Sequence, residues 1–500
     1  MTTLSQPTYE LRDYQQDLTQ KIFTRWSAGS RRVLAQLPTG GGKTVVISAT
    51  AQQFTQRGEN VLFLAHREEL LLQAKEKLEA VTGCTAGLIK AGYRAAPKHQ
   101  IQIASVQSLI RRQHWFEADL VLVDEAHHSC AATYVSILER YPDAYILGVT
   151  ATPARGDGQG FKNQYDALVL GQSVRELIDA GHLCPFKLFA AKSRIKTAGV
   201  KVTAGDFNQR DLAKQVNTTL TLGDVVGTWQ KYALGKRTVV FCVDVAHSQA
   251  VAAAFYQAGY AAEHIDGKTP PIERRAILER FRTGETAILT NCGIVSEGLD
   301  VPGIQAVQCL RPTRSLVLYL QMVGRGLRPS AGKNCLIILD HTENWIYHGL
   351  PDEEHEWSLD PITLGNNNRA VECPDCQHCF RPQPHEQKSS QATCPNCGAT
   401  IQLEEPGEGE PIERVVEHDD GAALEEIDLE SHPTVVALLQ NLKSQAMQHG
   451  YKPLWVYHQL VKQYPLVGLE DLRECAKILG YKPGWAWYRW QELQQQRQSA

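Results

Sequence analysis

Apolar and polar positions alternate in blocks through the first two thirds of the chain. Short apolar runs typical of buried strands occupy residues 33–37, 61–65, 120–123 and 145–149, and stretches of helical length separate them. Such alternation indicates a parallel sheet with helices on both faces. A second series begins at residue 239. The pattern predicts an α/β protein with two tandem parallel-sheet lobes.

The second series and the segments after it complete the predicted organisation. Its expected strands and helices fall at residues 239–243, 263–266 and 287–291, and at 247–257 and 272–281, respectively. The stretch from about residue 156 to 235 shows no clear period, and we interpret it as the end of the first lobe plus a connection. The predicted segments are lobe 1, lobe 2, a zinc ribbon, an acidic linker and a helical domain, at residues 1–185, 186–355, 369–402, 403–432 and 433–500.

The linker and the helical domain are predicted from composition. Acids are frequent in the linker and Arg414 is its only arginine or lysine, so self-repulsion is expected to keep it extended; mimicry of nucleic acid is the second interpretation. The tail repeats Gly-Tyr-Lys-Pro at residues 450–453 and 480–483, each time followed by aromatic residues. Those aromatic residues can stack on unpaired bases or form the core of a small domain.

Overall composition limits the expected partners. The 500 residues are 43% apolar and carry a net charge of −4, so a nucleic-acid surface must be local. No apolar run approaches the roughly 18 residues that span a bilayer, and the N-terminus shows no signal-peptide pattern. We expect a cytoplasmic protein without a membrane partner.

The sequence at residues 37–44, Leu-Pro-Thr-Gly-Gly-Gly-Lys-Thr, follows a predicted strand and precedes a predicted helix. Glycine N–H groups can point at phosphate oxygens, the lysine supplies a full charge, and the threonine hydroxyl suits Mg²⁺. The predicted phosphate-binding residues are Gly40, Gly41, Gly42, Lys43 and Thr44.

Two carboxylates, Asp124 and Glu125, directly follow the apolar run at 120–123. At the carboxyl end of a central parallel strand they would face a nucleotide crevice. We assign Asp124 to Mg²⁺ and Glu125 to polarisation of an attacking water. Two threonines, Thr150 and Thr152, follow the next strand and could lie beneath the same site.

In their order, these motifs resemble those of superfamily 2 helicases of the DEAH type, close to the bacterial branch of RadD-like and restriction-associated proteins. The resemblance extends from about residue 11 to about residue 328. It implies two RecA-like lobes that bind and hydrolyse ATP with Mg²⁺. It also implies that Gln15 reads adenine, and that Thr150 and Thr152 couple ATP state to strand movement.

The resemblance assigns residues of lobe 2 to the same ATP site. Arg325 and Arg328 would lie on one helix and reach the triphosphate, because a guanidinium fork can stabilise charge on the transferring phosphoryl group. Gln321 would help to place the water, and Asp300 would serve the nucleotide sugar or lobe coupling. Catalytic groups on two lobes require closure for each hydrolysis.

The resemblance further implies a nucleic-acid strand lying across both lobes. Four residues, Arg67, Ser105, Gln107 and Thr290, would contact the phosphates of this strand. Phosphate contacts position a strand without reading its sequence. We expect a 3′-to-5′ DNA helicase or translocase in DNA repair or genome defence, with DNA preferred to RNA. A restriction-system motor subunit, an ATP-gated DNA-binding clamp and an RNA helicase are the alternatives.

Cysteines crowd between residues 373 and 397, which favours a metal site over disulfides. Two Cys-Pro-x-Cys knuckles have the spacing of a four-cysteine zinc ribbon. The predicted Zn²⁺ ligands are Cys373, Cys376, Cys394 and Cys397. A register through Cys376 and Cys379, or a histidine ligand at His378 or His385, stays open. The ribbon or the helical domain would offer a surface for DNA or a protein partner.

Overall fold

The computed structural model describes most of residues 10–403 and isolated residues beyond. Not described between 10 and 403 are residues 67, 94–95, 97, 113–114, 156–158, 192–194, 196, 198, 204–205, 220–221, 295–302, 362–369, 384–385 and 387–390. Beyond 403 only residues 443, 456–457, 460, 472, 475–476, 479 and 489 are described. The chain divides into compact units Met1–Pro406 and Gly407–Ala500. The predicted acidic linker and helical domain lie almost entirely outside the described residues.

Lobe 1 contains seven strands within the described part of the chain. They are β1 (Arg32–Gln36), β2 (Val61–Ala65), β3 (Ala86–Ile89), β4 (Ile101–Ser105), β5 (Leu120–Asp124), β6 (Tyr145–Thr150) and β7 (Ala167–Leu170). Their order is β3-β4-β2-β5-β6-β1-β7, and all pairings are parallel. Strands β2, β4 and β5 are buried throughout, as expected of a parallel sheet covered on both faces.

Helices pack against the lobe 1 sheet through apolar stripes. They are α1 (Asp13–Ser27), α2 (Lys43–Thr55), α3 (Glu68–Thr82), α4 (Val106–Leu109), α5 (Ala132–Leu138) and, in the connection to lobe 2, α6 (Val174–Asp179). In α1, Leu18, Ile22 and Trp26 recur every four residues and are all buried. Trp26 meets Phe54 of α2 edge to face, with ring centroids 5.7 Å apart.

Lobe 2 is built on a second sheet, whose described strands number eight. The parallel ones are β8 (Phe186–Ala190), β11 (Thr238–Phe241), β12 (Ala262–Ile265), β13 (Ile288–Asn291), β14 (Ala306–Cys309) and β15 (Leu336–Asp340). Two more, β16 (Val371–Glu372) and β17 (His378–Phe380), are antiparallel. The order is β12-β13-β11-β14-β15-β8-β17-β16. The predicted α/β architecture with two sheets is therefore confirmed.

The remaining elements surround this second sheet. The helices are α7 (Gln209–Thr219), α8 (Leu222–Ala233), α9 (Val245–Gln257), α10 (Pro271–Thr283), α11 (Leu316–Gly324) and α12 (Asn344–His348). Strands β9 (Val202–Thr203) and β10 (Asp206–Phe207) form a small hairpin. Within the described residues, no helix combines the length and apolar character needed to cross a membrane.

The two cysteine knuckles belong to different sheets. The first lies in the β16–β17 hairpin, where β17 pairs with β8 of lobe 2 through His378–Phe189 and Cys379–Leu188. The second lies between β18 (Gln391–Thr393) and β19 (Thr400–Gln402), which pair only with each other among the described strands. Half of the cysteine-rich segment thus extends the sheet of lobe 2.

A returning strap, residues 350–361, connects lobe 2 back to lobe 1. Leu359 accepts hydrogen bonds through its carbonyl from the backbone N–H groups of Phe161, at 2.7 Å, and Lys162. The Lys162 ammonium also lies 2.5 Å from a carboxylate oxygen of Asp360. The buried carboxylate of Asp352 pairs with Arg175, in the connection between the lobes. The strap therefore contacts both lobes.

One apolar cluster is continuous through both lobes. It includes Leu18 and Phe54 from lobe 1 and Tyr319 and Ile338 from lobe 2, all at most 1% exposed. Separate clusters fill the other face of each sheet. Burying a large apolar side chain contributes about 1.5–3 kcal/mol, so the shared cluster favours lobes that stay packed together.

Candidate active site between the lobes

The phosphate loop joins β1 to α2 and depends on its glycines. Gly40 and Gly42 both have φ +90°, a left-handed conformation that favours glycine. A Cβ on Gly42 would also lie 2.4 Å from Nε2 of Gln15. Gly42 caps the start of α2, so the helix N-terminus and the predicted phosphate-binding glycines coincide.

Gln15 braces this loop from α1. It is 4% exposed, and its Nε2 donates to the Gly41 carbonyl at 3.1 Å while its Oε1 accepts from the Arg12 N–H at 3.1 Å. The neighbouring Tyr14 hydroxyl donates to the same Gly41 carbonyl at 2.8 Å. Sequence reasoning missed Tyr14, whose one signal is its position beside Gln15. Reading of adenine by Gln15 stays a prediction.

The two carboxylates lie at the end of β5, as predicted. Asp124 Oδ1 accepts from the Glu125 N–H at 2.9 Å. Burial raises the pKa of Asp124 to about 6, and the charge of Glu125 adds to the rise, while Lys43 and Arg325 oppose it. A buried carboxylate beside a second acid favours a bound cation. Thr44, partly buried in the first turn of α2, carries an oxygen donor of the kind that Mg²⁺ prefers.

Glu125 is held in a strained position. Its φ of 49° and ψ of 52° are left-handed, a conformation that costs a non-glycine residue on the order of 1–3 kcal/mol. One carboxylate oxygen lies 3.7 Å from the Lys43 ammonium, and the other lies 3.5 Å from Nδ1 of His127. The backbone turn therefore directs this carboxylate towards the phosphate loop.

His127 connects the carboxylates to the threonine turn after β6. Its Nδ1 lies 3.2 Å from the Thr150 hydroxyl, which in turn accepts from the Thr152 N–H at 3.2 Å. Thr150 and Thr152 are fully buried or nearly so. His127, which the sequence pattern did not single out, thus links both predicted threonines to the predicted catalytic acid Glu125.

Lobe 2 reaches the phosphate loop through the end of α11. A Cβ on Gly324 would lie 2.7 Å from Cβ of Thr39, and one on Gly40 would lie 3.4 Å from Cγ of Arg328. Arg325 is buried, and its charge lowers the pKa of Asp124. Gln321 is buried on the same helix. The two lobes are therefore in contact at the phosphate loop, and Arg325 and Arg328 approach the residues predicted on lobe 1.

The sequence interpretation of this helix needs one correction. We expected Arg325 and Arg328 on one helical face, but α11 ends at Gly324, Arg325 is its C-cap, and Arg328 lies in the following turn. Glycines at 324 and 326 favour this end because they weaken helix propensity. Arg328 therefore reaches the loop from a turn.

Lys333 supports that turn and was missed from sequence. Its ammonium donates to the carbonyls of Gly326 and, at 3.1 Å, of Arg328. Burial lowers its pKa to about 8. Lysine near a helix end satisfies carbonyls that the helix leaves unpaired, but no pattern around residue 333 separates this role from an ordinary surface lysine.

The proposed nucleic-acid residues differ in placement. Ser105 is the last residue of β4 and Gln107 lies in α4. The Ser105 hydroxyl donates to Oε1 of Gln107 at 3.0 Å. Thr290 is fully buried, and its hydroxyl donates to the Ser248 carbonyl at 2.9 Å, so its side chain is not available to a phosphate. Arg67 and Asp300 lie outside the described residues.

The four predicted zinc ligands converge. All four Sγ atoms of Cys373, Cys376, Cys394 and Cys397 lie within 4.8 Å of one another. The alternative residues are engaged elsewhere: Cys379 contacts the Gln377 carbonyl at 3.8 Å, and Nδ1 of His378 lies 3.0 Å from the Leu188 carbonyl. His385 lies outside the described residues. Four converging thiols fit a tetrahedral Zn²⁺ site.

Comparisons with known proteins agree with this geometry. Residues 8–155 match the family model of the type III restriction enzyme res subunit (ResIII), and residues 221–330 match that of the helicase conserved C-terminal domain. A 51.5 kDa protein of a Lactococcus phage (isolate 7-9) is 35% identical over 77% of this chain and 81% of its own length. The Saccharomyces cerevisiae protein IRC3, provisionally named an ATP-dependent helicase, is 36% identical over 66% of this chain and 51% of its own length.

A solved fragment provisionally assigned as the HsdR subunit of a type I restriction enzyme from Vibrio vulnificus shares the fold. It matches 69% of this chain and 68% of its own, with a TM-score of 0.54 and 23% identity. Two sheets with an ATP site between them define a two-lobed nucleotide hydrolase. The chain belongs to the superfamily 2 helicases with ResIII and helicase C-terminal domains, and it is an ATP-hydrolysing helicase.

Proposed function

We propose that this helicase is a DEAH-type motor of the RadD-like and restriction-associated branch, moving along DNA or separating its strands in DNA repair or genome defence. The observation that carries the proposal is the approach of lobe 2 to the phosphate loop of lobe 1, where a Cβ on Gly324 would lie 2.7 Å from Cβ of Thr39 and one on Gly40 would lie 3.4 Å from Cγ of Arg328. A site divided in this way is complete only when the lobes are closed. Each ATP hydrolysed therefore entails one closing and opening of the cleft.

Glu125 is the proposed base for the attacking water. Lys43 and His127 contact its two carboxylate oxygens, so the side chain has little freedom to leave the site. As water attacks the γ-phosphate, its proton passes to this carboxylate. Gln321, buried on α11, would orient the same water.

The phosphates are held from both lobes. The N–H groups of Gly40, Gly41 and Gly42 and the ammonium of Lys43 would bind them from lobe 1. Arg325 and Arg328 would stabilise the charge of the transferring group, an effect on the order of 10³ or more in rate for arginines with this role. Thr44 and Asp124 would hold Mg²⁺, which would supply positive charge to offset the negative charge of the phosphates.

DNA is the proposed track. Its support is the matching ResIII model, which is named for a restriction enzyme. Ser105 and Gln107, with Arg67, would touch the strand on lobe 1, and lobe 2 would contribute backbone near Thr290. Asp300 is proposed for lobe coupling or the nucleotide sugar.

The same match favours a second function, the motor subunit of a restriction system. The nuclease would then lie on another chain or have been lost, and a protein partner would dock on the cysteine-rich segment or the tail. For that segment we propose Zn²⁺ bound by Cys373, Cys376, Cys394 and Cys397. A restriction motor is expected to prefer duplex DNA, whereas a strand-separating helicase is expected to prefer single strands.

ATP hydrolysis by the purified protein tests the proposal. Turnover is measured without nucleic acid and with single-stranded DNA, duplex DNA and RNA, with Glu125→Gln as the inactive control. The proposal predicts stimulation by DNA of at least several-fold, and the preferred DNA form distinguishes the two functions. Stimulation by RNA alone would show an RNA helicase, and hydrolysis indifferent to every nucleic acid would overturn the motor assignment.

A further inference from the structure

The connection that leaves β3 carries an exposed aromatic ring with a lysine ammonium over one of its faces. Tyr93 is 39% exposed, and the Lys90 ammonium lies 5.1 Å from the centre of its ring. Gly92 has φ +85°, and the Tyr93 N–H donates to the Lys90 carbonyl at 3.3 Å. These features define a tight turn that needs glycine and presents the ring at the surface.

The turn is fixed beside the proposed nucleic-acid residues of lobe 1. The Ser108 hydroxyl of α4 accepts from the Ala91 N–H at 3.3 Å. Because Ile89 of β3 pairs with Ala104 of β4, Lys90, which follows β3, comes next to Ser105, the last residue of β4. The Tyr93 turn therefore extends the row of strand ends proposed to contact the nucleic-acid backbone.

This surface is separate from the ATP site. In the sheet order β3-β4-β2-β5-β6-β1, five steps divide β3 from the phosphate-loop strand. At about 4.8 Å a step, the two strand ends are about 24 Å apart. Strand β4, which ends at Ser105, lies between β3 and the rest of the sheet, so the turn lies at the outer end of the proposed DNA surface.

We propose that Tyr93 and Lys90 form a subsite for one unpaired nucleotide, the ring stacking on the base and the ammonium meeting the adjacent phosphate. This inference rests on the proposed function and adds to it a base contact, because the other proposed residues touch backbone. Stacking tolerates any base, since every base has an aromatic face. A motor that advances along arbitrary sequence needs that tolerance.

Binding to a fluorescent oligo(dT) of twenty nucleotides tests the subsite without hydrolysis. Tyr93→Ala is expected to raise Kd at least about fivefold, the lower range for loss of one stacked base, while Tyr93→Phe keeps the ring and the affinity. Tyr256→Ala, which removes a 73% exposed tyrosine from α9 of lobe 2, is the matched control with no expected change. Thermal unfolding of each variant establishes that it is folded.

Two further measurements separate base from phosphate. An oligonucleotide of the same length with abasic positions should bind the wild type more weakly. The difference in Kd between the wild type and Tyr93→Ala should therefore be smaller on this strand than on oligo(dT). Lys90→Ala should reduce the dependence of log Kd on log salt by about 0.7, the value for one phosphate of a single strand.

The outcomes distinguish this inference from the proposed function. If the wild type binds no nucleic acid, both are wrong. If the wild type binds and Tyr93→Ala binds equally well, or if Tyr93→Phe and Tyr93→Ala weaken binding alike, the stacking subsite alone is wrong. The stacking subsite is also wrong if the difference in Kd between the wild type and Tyr93→Ala is as large on the abasic strand as on oligo(dT).

Discussion

Gly324 of lobe 2 lies so close to Thr39 of lobe 1 that no side chain fits between them. A Cβ added to Gly324 would stand 2.7 Å from the Thr39 Cβ, well inside van der Waals contact. Because Arg325 is the next residue, any displacement of Gly324 also moves the arginine whose charge lowers the pKa of Asp124. The contact between these two residues thus sets how completely the ATP site closes.

Replacing that glycine is expected to slow catalysis. Gly324→Ala should lower kcat by about tenfold or more, since a displacement of about 1 Å in a catalytic constellation can cost about 10²-fold. Steady-state ATP hydrolysis measures it. The control is Gly227→Ala, in α8, where an added Cβ meets nothing within 4 Å and helix propensity improves. Equal activity of both variants would contradict closure through Gly324.

The hydroxyl of Thr150 is expected to matter more than its methyl group. Thr150→Ala removes the contact with His127 and the acceptor for the Thr152 N–H, whereas Thr150→Ser keeps both. With about 0.5–1.5 kcal/mol for a hydrogen bond, we expect DNA-stimulated turnover to fall about three- to tenfold in the alanine variant. If serine and alanine reduce turnover equally, packing and not the hydroxyl carries the effect.

Two cysteine variants can show whether zinc binds to the four predicted ligands and not to the neighbouring Cys379. Cys373→Ser should lose zinc, measured by release to a colorimetric chelator, while Cys379→Ser should retain one ion per chain because Cys379 stands outside the group. Since β17 pairs with β8 of lobe 2, zinc loss should also lower the melting temperature of the ATPase unit. Zinc retained by the Cys373 variant would point to another register.

The stability of lobe 2 is expected to fall in mild acid because of His247. Burial lowers the pKa of this histidine to about 4, below its unfolded value of about 6.5. The unfolded chain therefore binds more protons between pH 6.5 and 4, and stability is lost as pH falls through that window, by at most about 1.4 kcal/mol per pH unit for one group.

Thermal unfolding at several pH values tests this linkage. His247→Asn should flatten the loss of melting temperature between pH 6.5 and 5 relative to the wild type. The wild type and the variant are compared at pH 7.5 as well, where the histidine is neutral in both states and makes no protonation contribution. Parallel pH profiles of the two proteins would show that His247 does not titrate as its burial requires.

Much of the architecture was predictable because its signals are local. Each apolar run between residues 33 and 149 became a strand, and the expected strands at 263–266 and 287–291 differ from β12 and β13 by only one residue at either end. The phosphate loop and the paired acids were recognisable for the same reason. Their chemistry requires particular residues at fixed spacing, so the site residues can be identified from the sequence pattern alone.

Contacts between distant segments were not predictable in this way. Strand β8 was not predicted, since Phe-Lys-Leu-Phe-Ala alternates weakly, yet it pairs on both sides. The union of β17 with β8 depends on residues almost 190 positions apart. Burial of Thr290 likewise depends on Ser248 from a neighbouring helix. Pairing with distant segments determines whether such residues form strands or are buried, and the local alternation of apolar and polar residues does not show it.

Displacement of a third strand from a DNA triplex tests the motor assignment most directly. The protein is loaded on a duplex arm, and release of the labelled third strand is followed with and without ATP, for the wild type and for Arg325→Ala. Coupled hydrolysis across the lobes predicts ATP-dependent release by the wild type and none by the variant. If DNA stimulates hydrolysis by the wild type but neither third-strand release nor strand separation follows, the protein grips DNA without moving, and the motor assignment is wrong.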